Sequence, residues 1–532
     1  MKGFYAESGM TGFLLTYLLA FLMLLAGNRD RTDLLDAISA SMYWQIKNVT
    51  PDLKQLERDA GTDAAPASIE KQIRDLGAGD YATRAKAREE LERMGPAILP
   101  LLKPALASPD AEVAAVAEEL TKKFSDRGQE RAIRRLMAIR TLGERKENEA
   151  LGLLEGLKDS KELFVGEYAR RSIAQIKGEK YMPADLTAKL AGDVALLPGD
   201  AALVGQSSGL NMERLTLGAM AEAAWANEGA TLQRIPGAAA KPDVRGLERK
   251  ASEELLTLLE KVGNLRMDAV TVGLNYAKDD AGERGWLAVV IRGQFDAALV
   301  APAIREMMGG EAAITPAGKP GDGTMVAEKD GEACVVIPNN EQMIFLTGAD
   351  KKNVQGARDF MLAALRAGDG KRVDDGDLAA LMKTVDTKSP LWLVCRFNAA
   401  LEKETGQLGI KTVTLETKVV KEGTEFAVQA EMADGDKAKA LAETITAGVK
   451  SAQDVLKQAA AVTPALKPVQ EMLGTVKAEA GGVKGTMTGR LPAGIFNSIL
   501  GQLPLGEMVR AREEPQTVVE PAGPIELPDR LP

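Results

Sequence analysis

The chain has 532 residues, a net charge of −9 and no histidine. Its length predicts about three or four domains, and its apolar fraction of 45% is that of ordinary globular protein. The negative charge argues against a general nucleic-acid binder, which carries a basic face. Without histidine, the chain cannot build a Ser-His or Cys-His nucleophile pair, or any metal site that uses histidine.

The first predicted element is an uncharged apolar segment, Ser8–Asn28. A helix needs ~17–25 such residues to span a bilayer, so we expect residues 1–28 to be a retained, single-pass membrane anchor. The alternative is a cleaved signal peptide, but Leu24 stands where a small residue should precede a cut after Ala26. The flanking positive charges give no firm orientation. We expect the rest of the chain to lie outside the cytoplasm.

Residues 29–67 contain an amphipathic segment and then a linker. Apolar residues recur at every fourth position of the segment: Leu34, Ile38, Met42 and Ile46. Such a helix either lies along the lipid headgroups or packs on the next domain, and the sequence favours neither interpretation.

Residues 68–180 have the pattern of short amphipathic helices separated by Gly and Pro. A first helix ends at Gly95, and Pro96 begins the second. Ser108 is the predicted N-cap of the third helix, with Asp110 in its first turn. The apolar stripes of the three helices are Ala87, Leu91 and Met94; Ile98, Leu101, Leu102, Ala105 and Leu106; and Val113, Val116, Leu120 and Phe124.

The pattern recurs with variation further along the chain. Leu142-Gly143 repeats Met94-Gly95 at an offset close to the ~40–47-residue period of helix-pair repeats. The segment Asp80–Lys177 resembles a HEAT-like helical repeat, over about a fifth of the chain. The resemblance implies a short right-handed stack of helices that holds protein partners, and it carries no catalytic residues.

The rest of the chain predicts a duplicated unit of a β-hairpin followed by a helix. In the first copy, apolar residues alternate over 270–276 and 287–291, and Asp296 caps the helix. In the second copy they alternate over 413–419 and 426–432, and Asp434 is the cap. Further strands are predicted at Thr324–Ala327, Ala333–Ile337 and Met343–Thr347, with helices at Met212–Trp225, Leu247–Val262 and Asp350–Leu365.

The predicted fold class is therefore α+β, with antiparallel sheets backed by helices. An N-terminal membrane helix and the HEAT-like module precede the duplicated α+β domain. Its halves are residues 181–400 and 401–512, and residues 513–532 are a Pro-rich disordered tail. We also expect a fragment from Ser68 onward to fold by itself.

Two serine motifs fit catalytic patterns but fail in context. Gly205–Gly209 matches G-x-S-x-G, yet the serine of a nucleophile elbow needs a histidine base, so we expect a Gly/Ser turn. Ser68–Lys71 matches S-x-x-K without its partner motifs, so we expect Ser68 to be a helix N-cap.

Two further motifs resemble ligand loops. Gly77–Ala82 has the spacing of a dinucleotide fingerprint, but a helical segment precedes it, so a helix break capped by Asp80 is the better interpretation. Asp374–Asp377 does not fit the spacing of a calcium loop, and we interpret it as a solvated turn.

The cysteine and tryptophan residues are further candidates for site residues. Cys334 and Cys395 lie in apolar runs and are expected to be two buried thiols, with a single disulfide as the alternative. Trp225, Trp286 and Trp392 could mark a ligand groove, although core packing is the expected role.

The sequence thus predicts no catalytic, cofactor-binding or metal-binding residue. The leading hypothesis is a membrane-anchored, non-enzymatic scaffold protein that binds a protein partner through the HEAT-like repeat, without nucleic acid. One alternative is an extracytoplasmic hydrolase or carbohydrate-active enzyme that uses two carboxylates. Another is a carrier of an apolar ligand.

Overall fold

The computed structural model describes residues 33–492, except 62–65, 95–97, 99–101, 103, 182, 184, 209–243, 280–281, 309, 320–321, 349–350, 368–371, 377, 405–407 and 463–465. The described chain is α+β, with helices and one antiparallel sheet. The predicted anchor 1–28, the helix Met212–Trp225 and the tail 513–532 lie outside the described residues. Within the described part, none of the helices combines the length and the apolar character that a membrane span requires.

The N-terminal part of the described chain is helical. Its α-helices are α1 (Ala40–Ile46), α2 (Leu53–Ala60), α3 (Pro66–Asp75), α4 (Tyr81–Met94), α5 (Ala111–Glu144), α6 (Leu151–Leu157) and α7 (Val165–Lys177). Short 3-10 helices cover Leu34–Ala37, Pro104–Ala107 and Asn148–Ala150.

Helix α5 is longer than the sequence pattern predicts. We expected separate helices around 113–124 and 133–142, but one continuous helix covers both. Its N-terminal half packs against α3 and α4 in one apolar core that includes Ile69, Leu91 and Leu120. Its C-terminal half packs in a second core with α6 and α7. A single long helix therefore connects two cores where a repeat of short helices was expected.

The segment after the predicted anchor packs into the second of these cores. Leu35, Ile38, Tyr43 and Leu56 are fully buried there, and the Trp44 indole donates a hydrogen bond to Thr141 Oγ1 at 2.9 Å. Of the two interpretations that the sequence left open, packing on the protein is the one observed. The expectation that a fragment from Ser68 onward would fold alone conflicts with this packing.

Three details of the helical module differ from the sequence prediction. Helix α3 begins at Pro66, so Ser68 lies inside its first turn and is not the N-cap. The N-cap of α5 is Asp110, whose carboxylate accepts from the backbone N–H groups of Glu112 and Val113, while Ser108 precedes the cap. Leu106, expected on a buried stripe, is exposed, because the segment that carries it forms a short 3-10 helix.

The remaining chain forms one twelve-stranded antiparallel sheet in the order β11-β12-β10-β9-β8-β1-β2-β3-β7-β6-β5-β4. The strands are β1 (Leu203–Ser207), β2 (Arg266–Asp279), β3 (Gly282–Gln294), β4 (Ala313–Pro316), β5 (Thr324–Ala327), β6 (Ala333–Asn339), β7 (Gln342–Gly348), β8 (Leu391–Arg396), β9 (Ile410–Val420), β10 (Gly423–Met432), β11 (Lys477–Gly481) and β12 (Lys484–Pro492). The intervening helices are α8 (Thr187–Ala195), α9 (Val244–Val262), α10 (Ala297–Met307), α11 (Lys351–Ala367), α12 (Ala379–Met382), α13 (Ala399–Glu404), α14 (Gly435–Val462) and α15 (Lys467–Thr475).

The two halves of the sheet have the same strand order. They meet at the antiparallel pair β1–β8. From β1 outward the order is β2, β3, β7 and β6, and from β8 outward the equivalent order is β9, β10, β12 and β11. The predicted hairpins are confirmed, with Val272 opposite Val289 and Leu415 opposite Val428. Asp296 and Asp434 cap α10 and α14 as expected. Strands β4 and β5 extend the first half only.

The two faces of the sheet differ between the halves. We define face A as the face that carries Leu415 and Ala430, and face B as the opposite face, which carries Glu416 and Gln429. In the second half, α14 packs on face A. A Cβ at Gly485 of β12 would lie 3.4 Å from Leu441 Cδ2 of this helix. In the first half, α11 covers an apolar face B that includes Ala288, Val290, Ile344 and Leu346. No helix of the described chain packs in this way on face B of the second half.

The helical module and the sheet also share a core. Helix α9, which precedes β2, contributes Leu256 and Leu259 to the same core as α1, α2 and the C-terminal half of α5. The backbone N–H of Leu34 donates to the carbonyl of Leu265 at 2.7 Å, and Leu35 N–H donates to Asn264 Oδ1 at 3.0 Å. These contacts hold the helical module directly against the N-terminal end of β2.

Candidate functional site

The G-x-S-x-G segment is part of the central strand. Gly205, Gln206 and Ser207 belong to β1, which pairs with β2 on one side and β8 on the other. The expected Gly/Ser turn is therefore wrong for these three residues, because the strand continues to Ser207. A Cβ at Gly205 would lie 3.1 Å from the Trp392 carbonyl oxygen and 3.3 Å from Leu393 Cβ, so close packing explains this glycine.

The remaining motif residues have structural roles. Asp80 Oδ1 accepts a hydrogen bond from Thr83 N–H at 2.8 Å and caps α4, as predicted. Asp374 and Asp375 form a short 3-10 turn, and Asp377 lies outside the described residues. Across the described parts of the chain, no group of three or more Cys, Asp and Glu side chains could hold a metal ion.

The cysteines and two of the tryptophans lie in the core. Cys334 and Cys395 are free, buried thiols, as predicted, and burial raises the pKa of Cys334 to about 11 and that of Cys395 to about 12. Trp286 and Trp392 pack in the core of face B, which confirms core packing for both. Trp225 is outside the described residues.

A buried cluster of charges joins the helical module to the sheet. The Arg266 guanidinium on β2 donates to Asp268 Oδ1 at 2.8 Å and to Glu167 on α7. Burial lowers the pKa of Arg266, but Asp268 and Glu167 outweigh this effect and the net pKa is raised. The two carboxylates that the sheet and α7 bring together are thus both bound to one arginine.

The same cluster continues toward the N-terminal segment. Asp36 accepts from Arg171 at 2.8 Å, and Asp33 Oδ1 accepts from the Tyr168 hydroxyl at 2.7 Å. Burial is the largest effect on Asp33; together with the neighbouring charge of Asp36 it outweighs Arg171 and raises the pKa of Asp33 to about 7. The buried Asp33 Oδ2 has no hydrogen-bond partner among the residues that the structure describes.

A second buried pair attaches α8 to face B. Arg292 on β3 donates to both oxygens of Asp193, one of them at 3.0 Å, and Gln342 donates to the same carboxylate at 2.6 Å. Burial raises the pKa of Asp193 against the opposing effects of Arg292 and Gln342. This carboxylate is therefore fully engaged in holding a helix onto the sheet.

A cavity of about 360 Å³ lies between these two charge clusters. Its polar lining residues include Glu167, Arg266, Asp268 and Arg292, which the preceding contacts already pair. Lys189 and Glu341 at its rim form an ion pair of their own. The carboxylates of this cavity are held as structural partners of arginine and lysine, which is not the arrangement that a pair of acid and base carboxylates requires.

A larger groove of about 860 Å³ lies on face B of the second half. The loop 386–390, ahead of β8, forms one wall. The floor comes from β9, β10, β12 and β11 and carries polar and charged side chains together with Ala427. The floor residues that point to face B are Glu416, Lys418, Glu425, Ala427, Thr488, Arg490 and Lys477.

The basic side chains of the groove are less engaged than its acids. Lys388, Lys418 and Lys477 are exposed, and none of them forms an ion pair with a described residue. Glu416 accepts a hydrogen bond from Asp386 N–H at 3.1 Å, and the Asp386 carboxylate accepts one from Lys388 N–H at 3.0 Å. These acids fix the wall of the groove and leave the lysine ammonium groups available.

Sequence reasoning did not find this groove. Its residues come from a loop and four strands, and β10 pairs with β12 across a gap of more than fifty residues that the alternation pattern does not encode. One signal was present: face B of the second copy carries Glu425, Gln429 and Glu431 where the first copy carries the apolar Ala288 and Val290.

Comparisons with known proteins are sparse. No family model and no curated protein matches the chain. Among solved structures, crystal form III of TP0453 is similar over 58% of this chain and 98% of that chain, with 9% identity and a TM-score of 0.30. Crystal form IV covers 58% and 96%, with 10% identity and a TM-score of 0.26.

Proposed function

We propose that this protein is a non-enzymatic binding protein, attached to a membrane by residues 1–28, that holds a protein partner on face B of the second half of its sheet. The helical module and the first half of the sheet act as a rigid support. The buried Arg266 cluster and the shared core of α9 favour this role, because they join the two parts into one body.

The single observation that carries the proposal is the difference between the two halves of the sheet. They have the same strand order, but face B is covered by α11 in the first half and forms an open polar groove in the second. A solvated face is ordinary in antiparallel sheets. Here the face also forms a groove lined by three lysines that have no ion pair with any described residue, which favours binding.

The helical module, with its resemblance to HEAT-like repeats, is proposed as a second interaction surface. Tyr81, at the first turn of α4, is 78% exposed. Tyrosine is enriched at protein interfaces because it offers a large contact area at a low entropic cost. An exposed tyrosine on this module fits a contact with a protein partner.

The test is site-specific photo-crosslinking in native membranes. A photoreactive residue in place of Thr488, which is exposed in the groove, should give one discrete crosslinked protein. The matched control is the same residue in place of Lys450, exposed on α14 and on the opposite side of the sheet. Equal crosslinking at both positions, or none at Thr488, would contradict the proposal. A full-length chain that does not sediment with membranes would contradict the anchor.

A further inference from the structure

The charge of the groove indicates which class of partner it binds. We propose that it binds an extended acidic segment of a protein, an inference that rests on the proposed binding function and adds the chemistry of the bound segment. The cations that would contact this segment are Lys418, Arg490, Lys477 and Lys388.

The register of the strands places three of these cations on face B, in two neighbouring rows across the sheet. Lys418 on β9 lies opposite Glu425, which lies opposite Arg490 on β12. Lys477 on β11 pairs with Thr488, the next residue of β12 on the same face. Neighbouring strands are ~4.8 Å apart, and residues on the same face of a strand are ~7 Å apart. Lys418 and Lys477 are therefore separated by roughly 14 Å across the strands and by roughly 7 Å along them.

Lys418 and Arg490 are two strands apart, about 10 Å, and an extended peptide comes close to this spacing because lysine and arginine side chains are long and flexible. In an extended chain, side chains on the same side recur at every second residue, about 7 Å apart. Acidic residues at alternate positions would therefore meet Lys418, Arg490 and Lys477 in turn. Lys388, on the wall, is placed to contact the same segment from the side.

The lining of the groove holds four cations and three acids, so its net charge is positive. Glu416 and Asp386 are used by backbone N–H groups of the 386–390 loop. Glu425 lies between Lys418 and Arg490 in the register and separates these two cations. Arg490 Nη1 is 3.9 Å from Glu422 Oε2, which is a long distance for an ion pair. Three lysines remain without an acidic partner among the described residues, in a chain whose net charge is −9.

The experiment measures binding of a fluorescein-labelled peptide with alternating glutamate and serine to the full-length chain. A peptide with glutamine in place of glutamate is the matched probe. The glutamate peptide should bind at least about tenfold more tightly, because the favourable contacts are charge pairs. Its affinity should fall as salt is raised, because the lysines are exposed to solvent.

Two charge reversals locate the site. Lys418→Glu and Lys477→Glu should each weaken binding of the glutamate peptide by more than about tenfold, because a like charge replaces the attraction. Lys450→Glu on α14 carries the same change in net charge and should alter binding by less than about twofold. Circular dichroism of each variant verifies the fold, and all three lysines are exposed.

Three results would overturn the inference. They are equal binding of both peptides, equal loss for Lys450→Glu, and tighter binding of a single-stranded oligonucleotide than of the glutamate peptide. If Thr488 crosslinks to a partner in membranes while the glutamate peptide fails to bind, the proposed function stands and only the acidic character of the partner is wrong.

Discussion

At the scale of single residues, the buried charges explain how the helical module stays on the sheet. The buried Arg266 guanidinium binds both Glu167 of α7 and Asp268 of β2. A buried charge that loses its partner keeps the full desolvation penalty of the group left behind. The junction therefore depends on a few side chains, and each has a measurable effect.

Replacement of the central cation should destabilise the protein strongly. Arg266→Met leaves Glu167 and Asp268 without this cation, and we expect a loss of about 3–5 kcal/mol in the free energy of unfolding. The control is Lys261→Met, which removes an exposed pair with Glu306 and should have a much smaller effect, because solvent screens the two charges. Urea unfolding of both variants gives the comparison. Similar losses would show that the junction does not depend on the Arg266 cluster.

The carboxyl group of Asp33 should make stability depend on pH. Its folded pKa of about 7 lies above the ordinary value of 3.8, so the folded state retains a proton that the unfolded state releases. This contribution to stability is complete below about pH 4 and is lost as the pH rises through 7. Asp33→Asn keeps an acceptor for the Tyr168 hydroxyl and removes the titration.

Between pH 4 and pH 8, the free energy of unfolding of the natural protein should fall by about 2–4 kcal/mol relative to that of Asp33→Asn. Denaturant titrations at several pH values measure it. Asp80→Asn is a control of opposite sign, because the hydrogen bond from Thr83 lowers the pKa of Asp80. Parallel pH profiles for the natural protein and Asp33→Asn would contradict the account.

At the scale of elements, Gly143 has a role that its sequence pattern did not indicate. Its match to Gly95 predicted a helix end, and α5 ends at Glu144, one residue later. A Cβ at this position would lie 2.6 Å from Ser172 Oγ and 2.7 Å from Ser172 Cα. The glycine permits α5 and α7 to approach closely, and a contact between helices so far apart in sequence leaves no local signal.

Gly143→Ala should therefore destabilise the protein although alanine favours helices. The added methyl group must displace α7, at a cost of about 1–3 kcal/mol. The control is Gly152→Ala in α6, where a Cβ meets nothing within 4 Å and stability should rise by about 0.4–1 kcal/mol. Thermal unfolding distinguishes the two signs. A stabilised Gly143→Ala variant would show that α5 and α7 are not in close contact.

Elements with local patterns were predicted well, and their arrangement was not. Both hairpins and their capping aspartates follow from alternation and turn residues within about thirty positions. The pairing of β1 with β8 joins residues about 190 positions apart. In the sequence, β8 was visible only as an apolar run around Cys395. The groove depends on this non-local order, which explains why its lysines were not selected from the sequence.

At the scale of the whole molecule, the helical module and the sheet form one structure. Residues 33–61 and helix α9 complete the core around the C-terminal half of α5. Burial of each large apolar side chain contributes about 1.5–3 kcal/mol, and Leu35, Ile38, Tyr43 and Leu56 are all fully buried. Their sum is comparable to the whole stability of a typical protein, about 5–15 kcal/mol.

Two truncated chains test whether residues 33–61 are needed for the shared core. A chain that begins at Arg29 should unfold in a cooperative transition and resist limited proteolysis. A chain that begins at Ser68 lacks the buried residues of 33–61, and its helical module should be degraded rapidly under the same conditions. Equal protease resistance of the two chains would mean that residues 33–61 are dispensable for the fold.

The most direct test of the binding account is the accessibility of the groove in native membranes. Because Cys334 and Cys395 are buried, a thiol introduced by Thr488→Cys or by Lys450→Cys can be modified selectively with a membrane-impermeant maleimide. In purified protein both thiols should react at similar rates. In membranes opened to the reagent, the thiol at position 488 should be protected and the thiol at position 450 should remain reactive. Equal reactivity of the two thiols in membranes would contradict the claim that a partner occupies the groove.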